Sequence, residues 1–203
     1  MRTDKRREAV LQLRRRYERD EAHSRQVCKL ALNLFDQLQS LHGLGSQERG
    51  WLEAAALLHD IGWSQMDEPH HKASLKLILQ HGLPGWSEEE TLVVANVARY
   101  HTKAPPQSKH RHFDRLDARH QETVILLAAL LRLADGLDQF HNSSVKRILC
   151  SQKERQVILK LEAVENAELS LQGLEKKKDL FEEQYHRKIE VQVQALESDD
   201  QVS

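Results

Sequence analysis

In Ala54-Ala55-Ala56-Leu57-Leu58-His59-Asp60-Ile61-Gly62 an apolar, alanine-rich run ends in an imidazole and a carboxylate side by side, then a glycine. Small residues let neighbouring helices come close, and Gly62 is expected to take the left-handed conformation that ends a helix. Groups such as His59 and Asp60 must find partners at the buried end of a helix, because burying them unpaired is costly. One metal ion would satisfy both. Taken alone, the pair also fits an ordinary helix C-terminus, with His59 at the negative end of the dipole and Asp60 in solvent.

The elements that would position other such groups follow from periodicity. Val10, Leu13 and Tyr17 recur at helical spacing in residues 4–18, which predicts a surface helix. Its Arg14-Arg15-Arg16 run is either a phosphate-binding feature or a solvated face. In the helix expected over residues 20–39, His23 shares a stripe with Val27, Leu30, Leu34 and Leu38 and so faces the core. Ser46 is expected to cap the helix leading to His59 and Asp60. Pro69 opens another helix, from His70-His71-Lys72-Ala73-Ser74 to His81-Gly82, with free N–H groups at its start that suit an anion. Ser87 and Glu90 form a capping box for a helix ending at Arg99-Tyr100-His101-Thr102. The polar loop over residues 103–118 is either a lid over a site or a solvated connection. A long helix over residues 117–137 places Asp135 on the stripe of Val124, Leu127 or Ala128, and Leu131. An acid again sits at the closing turn of a buried helix, here just before Gly136.

The texture changes near His141-Asn142-Ser143-Ser144. Residues 145–150 and 156–161 are predicted as strands, 168–172 as a short third strand and 173–185 as a helix. Ile189, Val191 and Val193 alternate as in a half-buried strand. The expected fold class is mostly α: a helical bundle over residues 1–141, a small α/β domain over 142–196 with three or four short strands and one helix, and a disordered tail over 197–203.

The composition narrows the classes. With 30% charged residues and a net charge of -1, no bulk electrostatic pull toward nucleic acid or membrane is implied. No run approaches the roughly 18 apolar residues that span a bilayer, and the charged N-terminus lacks a signal peptide's apolar core. Cys28 and Cys150 lack zinc-motif spacing. A cytoplasmic protein is expected.

The order His23, His59-Asp60, Asp135 resembles the ligand order of the HD superfamily of metal-dependent phosphohydrolases. More closely, HSRQVCKLALNLFDQL, LLHDIGW, HHKASLKLI, LPGWSEEE, ARYH and LAALLRLADGLD resemble, in order, the C-terminal part of the exopolyphosphatase/guanosine pentaphosphate phosphohydrolase (Ppx/GppA) family over about residues 17–195. The resemblance implies an HD-type helical domain followed by the small α/β domain. The family's phosphatase chemistry resides in an N-terminal actin-like domain pair with glycine-rich loops. This chain, with 8 glycines, carries no such loops, so that mechanism is not expected here. Ala73 stands where the family often has another histidine.

The resemblance implies that His23, His59, Asp60 and Asp135 are metal ligands, with Asp60 also catalytic by bridging ion and water. An N/O donor set of this kind suits a divalent transition metal (Mn, Fe, Co, Ni or Zn) or Mg. His70 or His71, together with His101, falls where di-metal HD proteins supply ligands to a second ion, so one ion or two is expected. His70 is preferred over His71 because its offset to Ser74 and Ile78 fits the superfamily helix better. ARYHT is also similar to a stretch of the HD-type diadenosine tetraphosphate hydrolases. Lys72, Arg99, Lys103 and Arg132 lie near these ligands in sequence and are candidates for binding substrate phosphate.

The expected function is metal-dependent hydrolysis of a nucleotide, dinucleoside polyphosphate or related small phosphorylated compound. The alternative is a non-catalytic polyphosphate- or alarmone-binding regulatory and dimerisation module. A homodimer is expected, and a separate catalytic partner subunit is compatible with either reading.

Overall fold

The computed structural model describes residues 2–164 and 167–196, a mostly helical body with a three-stranded sheet. Helix α1 (Arg2–Tyr17) turns Val10 and Leu13 inward. Asp20 caps α2 (Glu21–Gln37), its carboxylate accepting the backbone N–H of His23 at 3.0 Å. This satisfies a donor that the first turn of a helix leaves unpaired. The α2 stripe of His23, Val27, Leu30 and Leu34 is buried, as its spacing predicts. A short α3 (Gln39–His42) stops at Gly43, whose φ of 65° is left-handed.

Helix α4 (Ser46–Leu58) is capped by Gly45 rather than by Ser46. The helix starts one residue earlier than expected, and Glu48 reaches back to accept the Gly45 N–H at 2.9 Å. A single 3-10 turn, Ile61–Ser64, follows His59 and Asp60. Gly62 is therefore not a left-handed helix stop. It is there for space: a Cβ would come within 2.0 Å of the His70 carbonyl oxygen and 2.5 Å of the Ser74 N. Helix α5 (His70–His81) is seated against this turn, and α6 (Glu88–Arg99) begins with the expected Ser87–Glu90 capping box. The loop that follows contains α7 (Arg111–Asp114) and leads to α8 (Ala118–Leu137), capped by Asp117. Helix α4 packs against α1, α2, α6 and α8, and the methyl side chains of Ala54, Ala55 and Ala56 permit that crowding.

The sheet has the order β1 (Val145–Gln152), β2 (Gln156–Ala163), β3 (Lys188–Ala195), with β1 and β2 antiparallel and β2 and β3 parallel. A parallel pair cannot be closed by a tight turn and needs a crossover. Here α9 (Ala167–Glu175) and α10 (Asp179–Tyr185) supply it, both packed on α8. Residues 168–172, expected as a strand, belong to α9. Ser170 and Leu174 are both buried, and a spacing of four shares a face only in a helix. The single helix expected over 173–185 is likewise divided, by the turn at residues 176–178. The tail expected over 197–203 lies outside the described residues. Among the described residues no helix is long and apolar enough to cross a membrane.

Where α9 crosses α8, two glycines meet. A Cβ on Gly173 would lie 2.1 Å from the Gly136 carbonyl oxygen, so only the bare backbone fits. Gly173→Ala is expected to destabilise the protein by about 1–3 kcal/mol through overpacking. A thermal melt should then show a loss of several degrees at this chain length.

Candidate metal centre

His23 comes from the first turn of α2, His59 and Asp60 from the end of α4, and Asp135 from the last turn of α8. The fold brings them together in a buried cluster. His23 Nε2 lies 3.3 Å from His59 Nε2, 3.7 Å from Asp60 Oδ2 and 3.5 Å from Asp135 Oδ1. His59 Nε2 lies 3.5 Å from Asp60 Oδ2 and 3.9 Å from Asp135 Oδ1.

A second group adjoins the first through the other oxygen of Asp60. Asp60 Oδ1 is 3.6 Å from His70 Nε2 and 3.4 Å from His101 Nε2, and these two nitrogens are 3.1 Å apart. His70 is the first residue of α5, and His101 follows the end of α6. His71, the alternative to His70, takes part in none of these contacts. Its ring stands edge-on to His70, its Nδ1 is buried without a hydrogen-bond partner, and burial pushes its pKa down to about 4.

The far sides of the imidazoles fix what faces inward. His59 Nδ1 donates to the Ala56 carbonyl at 2.7 Å and His101 Nδ1 to the Ala98 carbonyl at 2.7 Å, so each turns an Nε2 lone pair toward the cluster. His23 Nδ1 contacts Asp138 Oδ2 at 2.8 Å, and Asp138 Oδ1 accepts the Ser143 N–H at 2.8 Å. The ring of His141 stacks on His23 at 3.7 Å while its Nδ1 binds Asp20 Oδ2 at 2.8 Å. Asp20 thus caps α2 and also holds a ring against His23. On the α5 side, Ser74 Oγ donates to the His59 carbonyl at 2.6 Å and accepts the Gly62 N–H at 2.9 Å, pinning the turn that presents Asp60.

The electrostatics call for positive charge between the carboxylates. Burial opposes ionisation of Asp60, yet the imidazoles of His59 and His101 hold its pKa below the usual range. Burial likewise opposes ionisation of Asp135, and the Lys177 ammonium and His23 hold it well below. Burial disfavours a charged His23, but Asp135 and Asp138 outweigh it and raise its pKa to about 10. Burial dominates at His101, whose pKa falls to about 3, so it remains a neutral donor.

The donor set fits a divalent metal. Nitrogen and oxygen ligands about 2.0–2.2 Å from one ion stand about 3.0–3.5 Å from each other, close to the spacings here. Asp60 Oδ1 is buried with no hydrogen-bond partner among the described residues, which leaves a carboxylate oxygen for a cation to satisfy. His23, His59 and Asp135 form one buried group able to hold an ion, and His59, Asp60 and His101 another.

The basic residues divide. Lys72 and Lys103 are exposed and Arg99 is half-buried. Arg132, expected at substrate phosphate, is instead buried and turned to the protein. It donates to the Lys103 carbonyl at 2.9 Å, to Asp179 Oδ1 at 2.8 Å and to the Lys177 carbonyl at 3.4 Å. Three residues around the cluster escape sequence reasoning: Asp138, His141 and Lys177. Asp138 carried a signal, lying three residues beyond Asp135 on the same helix end. His141 and Lys177 carried none, since they arrive from a turn and from the crossover.

A partner that orients a ligating histidine typically contributes 10–100-fold to metal affinity. Asp138→Asn is therefore expected to weaken Mn(II) binding by about 10–100-fold. Titration calorimetry checks this, and unchanged affinity would contradict the orienting role of Asp138.

The family model described as Ppx/GppA phosphatase, domain III, matches residues 6–184, a span that includes all of these side chains. The chain belongs to the Ppx/GppA phosphatase domain III family.

Proposed function

We propose that the chain is an HD-type, metal-dependent phosphohydrolase whose substrate is a nucleotide or a related small phosphorylated compound. The observation that carries this reading is Asp60, which turns one carboxylate oxygen to His23 and His59 and the other to His70 and His101. His23, His59, Asp60 and Asp135 would hold one ion, and Asp60, His70 and His101 a second. A divalent ion on such a donor set polarises a phosphoryl oxygen and lowers the pKa of water toward neutrality.

The chain's own groups define the rest. Asp60 would be the catalytic residue, since its two oxygens link the two histidine groups. Lys72 and Lys103, both exposed, and half-buried Arg99 would offset the charge of a phosphorylated substrate. Trp63 supports a nucleotide. Its ring stacks on His70 at 4.1 Å and 12°, yet remains 52% exposed, so it offers a base an aromatic surface beside a ligand.

Purified protein supplied with Mn(II) or Co(II) is expected to release phosphate from members of a panel of nucleotides and dinucleoside polyphosphates. Asp60→Asn should abolish the release while leaving the circular dichroism spectrum unchanged. Release that survives in Asp60→Asn contradicts the assignment. Tight polyphosphate binding without turnover would point instead to a binding module.

Stacking on an aromatic ring contributes about 1–3 kcal/mol per base, so Trp63→Ala should raise the KM for a nucleotide about 5- to 150-fold. Its KM for inorganic tripolyphosphate, which has no base, should stay the same. An equal loss on both substrates would contradict the base-stacking role.

A further inference from the structure

We infer that Lys177 is a positioning residue of the metal centre: the crossover between β2 and β3 delivers its ammonium to Asp135 and fixes which carboxylate oxygen faces His23 and His59. This rests on the reading above that Asp135 helps to hold an ion. The two oxygens of Asp135 have different partners. Oδ1 is the one near His23 Nε2 and His59 Nε2, while Oδ2 pairs with Lys177 Nζ. With the second oxygen engaged, rotation of the carboxylate would break an ion pair.

The pair differs from an ordinary surface salt bridge, which contributes about 0–1 kcal/mol. Side-chain exposure is 15% for Lys177 and 7% for Asp135, so both charges are largely out of water. A lysine that could reach solvent gives up hydration to stay there, and the Asp135 carboxylate compensates it.

Nor is the ammonium needed to hold the crossover in place. The Gly136–Gly173 backbone crossing seats α9 on α8 one residue after Asp135. Arg132, three residues before Asp135, donates to the Lys177 carbonyl and to Asp179 Oδ1 at the same turn. The Lys177 N–H closes the turn onto the Leu174 carbonyl at 2.9 Å. These contacts use backbone and neighbouring side chains. They leave the Lys177 side chain free to act on Asp135, and they make the segment after β2 part of the centre.

Co(II) titration of the full chain, followed by its visible absorption, tests the inference without relying on turnover. Lys177→Met is expected to weaken Co(II) binding by about 10–100-fold and to change the absorption bands, with the melting temperature recorded alongside. Lys177→Arg, which keeps a cation at this position, should restore most of the affinity. If the methionine variant does not fold, Lys177→Gln serves as the reading of the lost charge. Wild-type affinity and bands in the uncharged variant would overturn the inference while leaving the metal site standing. So would a loss that Lys177→Arg does not restore. Wild-type protein that takes up no Co(II) overturns this inference and the proposed function together.

Discussion

Two carboxylates, Asp60 and Asp135, both lie within 4 Å of one imidazole nitrogen and are buried at the end of a helical bundle. Two carboxylates facing one buried nitrogen repel each other, the more strongly the lower the local dielectric. Such an arrangement persists only if positive charge lies between or beside them. Lys177 beside Asp135 meets part of that demand, while the main-chain carbonyls that turn the His59 and His101 lone pairs inward add to it. A cluster that served only as packing would have little use for this orientation, since apolar residues of the same volume would be at least as stable.

The scaffold can be understood as the means of bringing five helix ends to one point. Alanines on α4 let it sit among α1, α2, α6 and α8, and this brings the end of α4 against the start of α2 and the end of α8. Gly62 removes the side chain that would hold α5 away, and Ser74 ties α5 to the His59 carbonyl, so His70 reaches the second oxygen of Asp60. The parallel pairing of β2 and β3 forces a crossover, and its turn carries Lys177. Local choices at Gly62, Ser74, Gly136 and Gly173 therefore translate directly into the geometry of the His/Asp cluster.

Much of this was legible in the sequence because helix periodicity carries the information. The His23–Leu38 stripe, the Ser87–Glu90 capping box and the placing of Asp135 at a buried helix end all follow from residue spacing alone. Elements set by tertiary contact were not legible. Gly62 could be read as a helix stop because a glycine required for close approach and one required for a left-handed turn look identical in sequence. Residues 168–172 mimic strand alternation over too few residues to separate two periods. Arg132 sits beside a ligand in sequence, but its guanidinium turns to a loop 45 residues further along the chain. His141 and Lys177 come from connections, where no periodicity predicts direction.

The central claim is that a cation belongs among these side chains, and anomalous diffraction from crystals grown with Mn(II) tests it most directly. The account predicts two peaks astride Asp60, one bounded by His23, His59 and Asp135 and the other by His70 and His101. A map with no peak at either place, and with the imidazoles and carboxylates simply hydrogen-bonded to one another, would contradict it.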